Sequence, residues 1–189
     1  MTDTATKNIA VLVGSLRKES FSRKVALALQ ELSPPSLALD IVEIGELPFY
    51  NQDLEVEPPP APWAKFRDRV RAASGVLFVT PEYNRSVPAV LKNALDVGSR
   101  PYGKSVWSGK PGAVVSVSPG AIGGFGANHH LRQSLVFLDV LTLQQPEVYL
   151  GGADKLFDAA GKLSNDAARK LLTSLLERYA ELVARNARS

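Results

Sequence analysis

The sequence predicts a single α/β domain over residues 1–189, built on a parallel sheet with helices on both faces. Three observations carry this reading. Short apolar runs rich in β-branched residues recur along the chain, and those at 9–13 and 75–80 end at Gly14 and Pro81. Stretches between them place apolar residues at helical spacing. The two kinds of segment alternate throughout, with no internal repeat, low-complexity tract or linker. At 189 residues the chain can bury one proper core and little else.

In chain order, residues 9–13 read as a buried strand. Residues 20–32 carry Val25, Ala28 and Leu29 at helical spacing, and Pro34 and Pro35 stop that helix. Residues 37–44 alternate as a second strand. Residues 47–62, rich in Pro and acidic side chains, make a surface loop. Trp63, Phe66 and Val70 predict a helix over 63–73. Residues 75–80, strongly apolar and β-branched, are the third strand and a central one. Pro88 suits the first turn of a helix reaching Asp96. Residues 112–117 form the fourth strand. A Gly-rich loop, 120–126, leads to a helix over 128–140, and residues 141–149 hold the fifth strand. Leu172, Leu175, Leu176 and Tyr179 mark one face of a long helix over 165–184.

Composition removes several chemistries. There are no cysteines, so disulfides, thiolate nucleophiles, zinc–cysteine sites and iron–sulfur clusters are excluded. Redox chemistry in this chain therefore requires a bound organic cofactor. Lys and Arg number 22 against 19 Asp and Glu, a net charge of +3, but they are dispersed rather than gathered in a stripe. This speaks against nucleic acid and for local attraction of phosphates. No apolar run approaches the roughly 20 residues that span a bilayer. Residues 1–7 are polar and lack an export signal, so a cytoplasmic location is expected.

In a doubly wound sheet, ligands bind beyond the carboxyl ends of the strands, near the switch in strand order. That rule selects the loops after Val13, Thr80 and Val117. The first reads Gly14-Ser15-Leu16-Arg17-Lys18-Glu19-Ser20-Phe21-Ser22-Arg23 and crowds hydroxyls and cations ahead of a helix. Free N–H groups and partial positive charge at a helix N-terminus favour an anion, and hydroxyls with an Arg fork complete a phosphate cradle. The alternative is a capping loop with Ser20 or Ser22 as N-cap. No Gly-x-Gly-x-x-Gly follows the strand, which favours a monophosphate over a diphosphate. The second loop, Pro81-Glu82-Tyr83-Asn84-Arg85-Ser86-Val87-Pro88, is stiffened at both ends. Tyr83 offers a flat face to a ring system, and Glu82 and Asn84 offer polar groups to its edge. The alternative is a rigid loop with Tyr83 packed down and Glu82 paired to a surface Arg.

With Ser86-Val87-Pro88-Ala89-Val90-Leu91-Lys92-Asn93-Ala94-Leu95-Asp96 following the second loop, the chain resembles the NADPH-dependent FMN reductase family, and within it the bacterial chromate and quinone reductases. The likeness continues through Gly123-Gly124 and residues 130–139 to Pro146-Glu147. It implies a flavodoxin-like three-layer sandwich with five parallel strands in the order 2-1-3-4-5. It implies bound FMN, with Ser15, Arg17 and Ser22 on the phosphate and Ser20 near them. Pro81, Glu82, Tyr83 and Asn84 would line the isoalloxazine ring, and Ser118 and Gly120 would approach the ring or the ribityl chain. Relatives often have Asn where this chain has Ser22. Relatives form homodimers or homotetramers, and some carry Arg where Gly126 stands and Tyr where His129 stands, side chains that join subunits together with a Glu matching Glu147. A Trp common in the family is Val97 here.

The implied activity is hydride transfer from NADPH or NADH through FMN to a quinone, or to an acceptor such as chromate, an azo compound or free FMN. The chemistry sits on flavin N5, no side chain need act as acid or base, and one cleft serves donor and acceptor in turn. The alternative, a non-enzymatic flavodoxin-type electron carrier, is disfavoured by the basic charge.

Other signals carry little. Residues 98–105 match the P-loop pattern letter for letter, but a helix precedes them and Lys110-Pro111 follows too soon for another. His129 and His130 are adjacent, about 100° apart on a helix, which suits a surface or interface and no shared metal. Trp63 and Trp107 are expected to pack, and Arg132 to form an ion pair. Ser15 lacks the Gly-x-Ser-x-Gly elbow of an acyl-transfer nucleophile.

Overall fold

The computed structural model describes residues 5–186, so residues 1–4 of the polar N-terminal stretch and residues 187–189 lie outside it. Six strands and five helices follow one another: β1 (Lys7–Val13), α1 (Phe21–Leu32), β2 (Leu37–Ile41), α2 (Ala61–Ala72), β3 (Gly75–Thr80), α3 (Ala89–Gly98), β4 (Pro111–Val117), α4 (Phe125–Phe137), β5 (Leu141–Thr142), β6 (Val148–Leu150) and α5 (Asp166–Asn186). The sheet is parallel, in the order β2-β1-β3-β4-β5, with β6 also paired to β4.

Alternate residues of the central strands feed two separate cores. Ile9, Val11, Leu77, Val79 and Val115 face α1 and α5. Ala10, Leu12, Val76, Phe78 and Val114 face α2, α3 and α4. Strands buried on both faces read as unbroken apolar runs, which is why β1, β3 and β4 were plain in the sequence. Trp63 and Trp107 are fully buried packing residues, their indole N–H groups donating to Pro48 O and Leu95 O.

Several boundaries differ from expectation. The fifth strand is two short ones: β5 pairs with the start of β4 and β6 with its end. Pro146 interrupts the run, and a proline cannot donate to a ladder. The carbonyls at the break are taken by side chains of α4, Leu143 O by Arg132 and Val148 O by Asn128. Arg132 also donates to Asn128 Oδ1 at 2.9 Å, so it braces this break and makes no ion pair among the described residues. The second strand stops at Ile41 rather than residue 44; Val42 N still donates to Val11 O, and Val42 and Ile44 pack into the α2 side of the core. The fourth helix starts at Phe125 behind a left-handed Gly124 and ends where Asp139 turns left-handed at φ 57°. Residues 98–105 begin at the last residue of α3 and run into loop before β4.

Candidate functional site

The switch in strand order lies between β1 and β3, the central neighbours from which the chain winds out both ways. The loops leaving their carboxyl ends touch. A Cβ on Gly14 would sit 3.1 Å from Pro81 Cδ and 3.2 Å from Thr80 Oγ1, a tight fit that glycine relieves where the two loops meet. Beyond them opens a cleft lined by residues from three loops: Ser15, Arg17, Ser20 and Ser22 from the first, Pro81, Glu82 and Tyr83 from the second, and Ser118 from the loop after β4. Asn84 and Gly120, also expected at the site, lie just beyond this wall in the chain. Phe21 and Pro119 line the cleft as well and carried no signal in the sequence.

At the first loop the two alternatives divide between two serines. Ser20 is the N-cap of α1, its hydroxyl accepting from Arg23 N at 3.1 Å. Ser22, one residue into the helix, is buried and its Oγ has no partner. A buried hydroxyl without a partner costs free energy, so this one is placed to receive something that binds. The amides of Phe21 and Ser22 stand ahead of the first intrahelical bond, Lys24 N to Ser20 O. A helix start with free N–H groups and an unused hydroxyl is an anion seat. Arg17 makes no hydrogen bond or ion pair among the described residues and lines the same cleft. Arg23 is not available to an anion, because it is held 2.7 Å from Glu43.

At the second loop, Glu82 lines the cleft and one oxygen of its carboxylate is engaged by a distant element. Oε2 accepts from Ala127 N at 2.9 Å, across 45 residues, at the first turn of α4. Pairing with Arg85, at 3.6 Å, is secondary. Tyr83 and Ser86 exchange backbone hydrogen bonds of 3.2 and 3.0 Å around Asn84 and Arg85, both left-handed. This is the geometry of a type I′ turn. Tyr83 is not packed down; at 46% exposure it presents its ring at the cleft.

At the third loop, Ser118 Oγ accepts from Gly120 N at 3.1 Å, and the Ser118 backbone bonds Leu150 and Ala153. The hydroxyl is thereby oriented with its proton unused. Asn128, fully buried, donates to Ser116 Oγ and Val148 O and holds β4, β6 and α4 together beneath this loop. Its role could not be read locally, because its partners come from elements up to 20 residues away.

The cleft therefore brings together a candidate anion seat at the start of α1, the flat face of Tyr83 and the Ser118 hydroxyl. A flavin mononucleotide has this outline: a terminal phosphate, a polar chain and a planar ring. The residues present fit it. Among the described residues, no group of three or more His, Cys, Asp or Glu could hold a metal ion, and no helix is long and apolar enough to cross a membrane.

Comparison with known proteins agrees with this outline. The family described as NADPH-dependent FMN reductase matches residues 7–155. A quinone reductase of Pseudomonas putida is 66% identical over 179 residues, covering 95% of this chain and 96% of the relative. A 2-hydroxy-1,4-benzoquinone reductase of a Burkholderia species is 47% identical, covering 93% and 95%. Among solved structures, the flavoenzyme NAD(P)H:(acceptor) oxidoreductase of Paracoccus denitrificans superposes with a TM-score of 0.91 at 36% identity, covering 97% of this chain and 100% of that one.

Proposed function

This chain belongs to the NADPH-dependent FMN reductase family, and from that premise we propose that its three-loop cleft reduces quinones with electrons from NAD(P)H. The enzyme is an oxidoreductase, its cofactor is FMN and its donor NAD(P)H. The observation that carries the reading is the partnerless Ser22 hydroxyl in one cleft with Arg17 and Tyr83.

Ser15, Arg17, Ser22 and the start of α1 would hold the phosphate, with Ser20 keeping the helix end in shape. Tyr83 and Pro81 would flank the ring, and Ser118 would donate to its edge or to the ribityl chain. Bound FMN supplies the hydride acceptor and donor that the side chains lack. The protein's part is to seat the cofactor, leave one ring face open beside Tyr83 and keep ionisable groups away from the hydride path. Glu82, a carboxylate of the cleft wall, accepts from Ala127 N on α4. Donor and acceptor occupy that open face in turn, so initial-rate lines at several quinone concentrations should run parallel. Azo compounds and chromate fit the same open cleft as further acceptors.

The chain acts as one domain in the cytoplasm and assembles at least as a homodimer. Phe137, 91% exposed, lines a groove between α3 and α4, and its chain neighbour Val136 is exposed too, so apolar surface is available here for a second copy to cover. Purified protein should be yellow with a flavin spectrum that bleaches on NADPH and returns on adding a quinone. A colourless protein that takes up no FMN would end this reading.

A further inference from the structure

The loop that would flank the flavin ring closes on itself through the Tyr83–Ser86 backbone pair but is strained at its tip. Asn84 and Arg85 sit at φ 49° and 64°. Left-handed backbone suits Asn but is strained for an Arg. The second central residue of such a turn is usually glycine. A turn built this way persists only when its surroundings over-determine it.

Two contacts do so, both to one face of α4. Ahead of the turn, Glu82 Oε2 accepts from Ala127 N at 2.9 Å. At its far end, Ser86 Oγ lies 3.0 Å from His130 Nδ1. Ala127 and His130 are three residues apart and so neighbours on the helix surface. The helix in turn depends on the loop. Its N-cap is Gly124, left-handed and without a capping side chain. Ala127 is the third helical residue, whose amide an N-cap Ser or Asp would ordinarily take. Gly126 makes the approach possible, since a Cβ there would stand 2.8 Å from Arg85 O and 2.9 Å from Glu82 Oε2. The Glu82 side chain is only 11% exposed, while its other neighbour Arg85 is 75% exposed and 3.6 Å away. The strong partner is the helix, not the Arg.

We propose that Glu82 is a positioning residue, a remote N-cap that fastens the ring-flanking turn to α4 and so sets where Tyr83 stands over the cofactor. The inference rests on the FMN reading above and adds the means by which one wall of that site is held.

The test uses the FMN-loaded enzyme with Glu82→Ala, Glu82→Gln and Ser86→Ala. Glu82→Ala should weaken FMN binding at least tenfold, shift the visible maxima of the bound flavin and lower kcat more than it raises the KM for NADPH. Glu82→Gln, whose amide oxygen still accepts from Ala127, should recover most of all three. Ser86→Ala should move the spectrum in the same direction as Glu82→Ala, and less. The apoprotein of Glu82→Ala should melt below the wild-type apoprotein, since the cap exists without flavin. A Glu82→Gln enzyme as impaired as Glu82→Ala would overturn the proposal, because the negative charge would then act on the cofactor directly. An unchanged spectrum and FMN affinity in Glu82→Ala would overturn it too. Failure of the wild-type protein to bind FMN would instead strike the functional reading itself.

Discussion

Replacing Ser22 by Ala should push the apoprotein and the FMN complex in opposite directions. In the apoprotein the Ser22 hydroxyl is buried without a partner. Such a group costs about 1–3 kcal/mol, and Ala removes it. Ala is also the better helix former by about 0.5 kcal/mol. The small cavity left behind offsets part of this gain, giving a net stabilisation of about 1–2 kcal/mol. For a chain of this size, about 2–4 °C follows from each kcal/mol, so the apoprotein Tm should rise by about 2–8 °C. On the proposed reading, the same hydroxyl would donate to the ionised phosphate in the FMN complex, a bond of about 1.5–3 kcal/mol. Its loss weakens FMN binding by about ten- to a hundredfold. Differential scanning calorimetry of apoprotein and a flavin-fluorescence titration read the two halves separately. A variant that lowers the apoprotein Tm, or leaves the FMN Kd unchanged, refutes the assignment of Ser22 to the phosphate. General damage to the helix cannot imitate opposite signs.

Other consequences can be checked alongside. Arg17→Ala should weaken FMN about ten- to a hundredfold, for loss of one charge-assisted bond, without changing the apoprotein Tm, because Arg17 has no partner among the described residues. Asn93, buried on α3, accepts from Tyr50 N and donates to Leu47 O and Pro48 O. Asn93→Ala leaves Pro48 O with the Trp63 indole but strands the other two groups, so urea unfolding should show a loss of about 2 kcal/mol. A loss below about 0.5 kcal/mol would mean water replaces the clamp. Burial pushes the Glu55 carboxyl up, but hydrogen bonds from Tyr50 and Arg100 outweigh it and hold the group below its ordinary 4.5. Its stabilisation is thus fully present above pH 4.5 and drains away as pH falls through the lowered folded value. Glu55→Gln should be less stable than wild type at pH 7, with the gap closing toward pH 3; a gap independent of pH would contradict this.

Much of the architecture was legible because its signals are local. Strands buried on both faces, such as Gly75–Thr80, need an unbroken apolar run, and no other element of that length tolerates one so well. Once the alternation of strands and helices was read, the switch-point rule selected the three loops that the fold brings to one cleft, and the residue types there already spoke of a phosphate and a ring. What the chain order could not decide was the division of labour within those loops. Ser20 and Ser22 are chemically alike, and only the packing around α1 makes one a cap and leaves the other without a partner. Glu82 Oε2 accepts from an amide 45 residues on, and Arg132 bonds to an amide oxygen and a carbonyl instead of a carboxylate. The fifth strand divides around Pro146, and α4, distant in the chain, supplies donors to the carbonyls at the break. A side chain's hydrogen-bond partner is whatever unsatisfied group packing brings within about 3 Å, and in a doubly wound sheet that group belongs to an element far away in the chain.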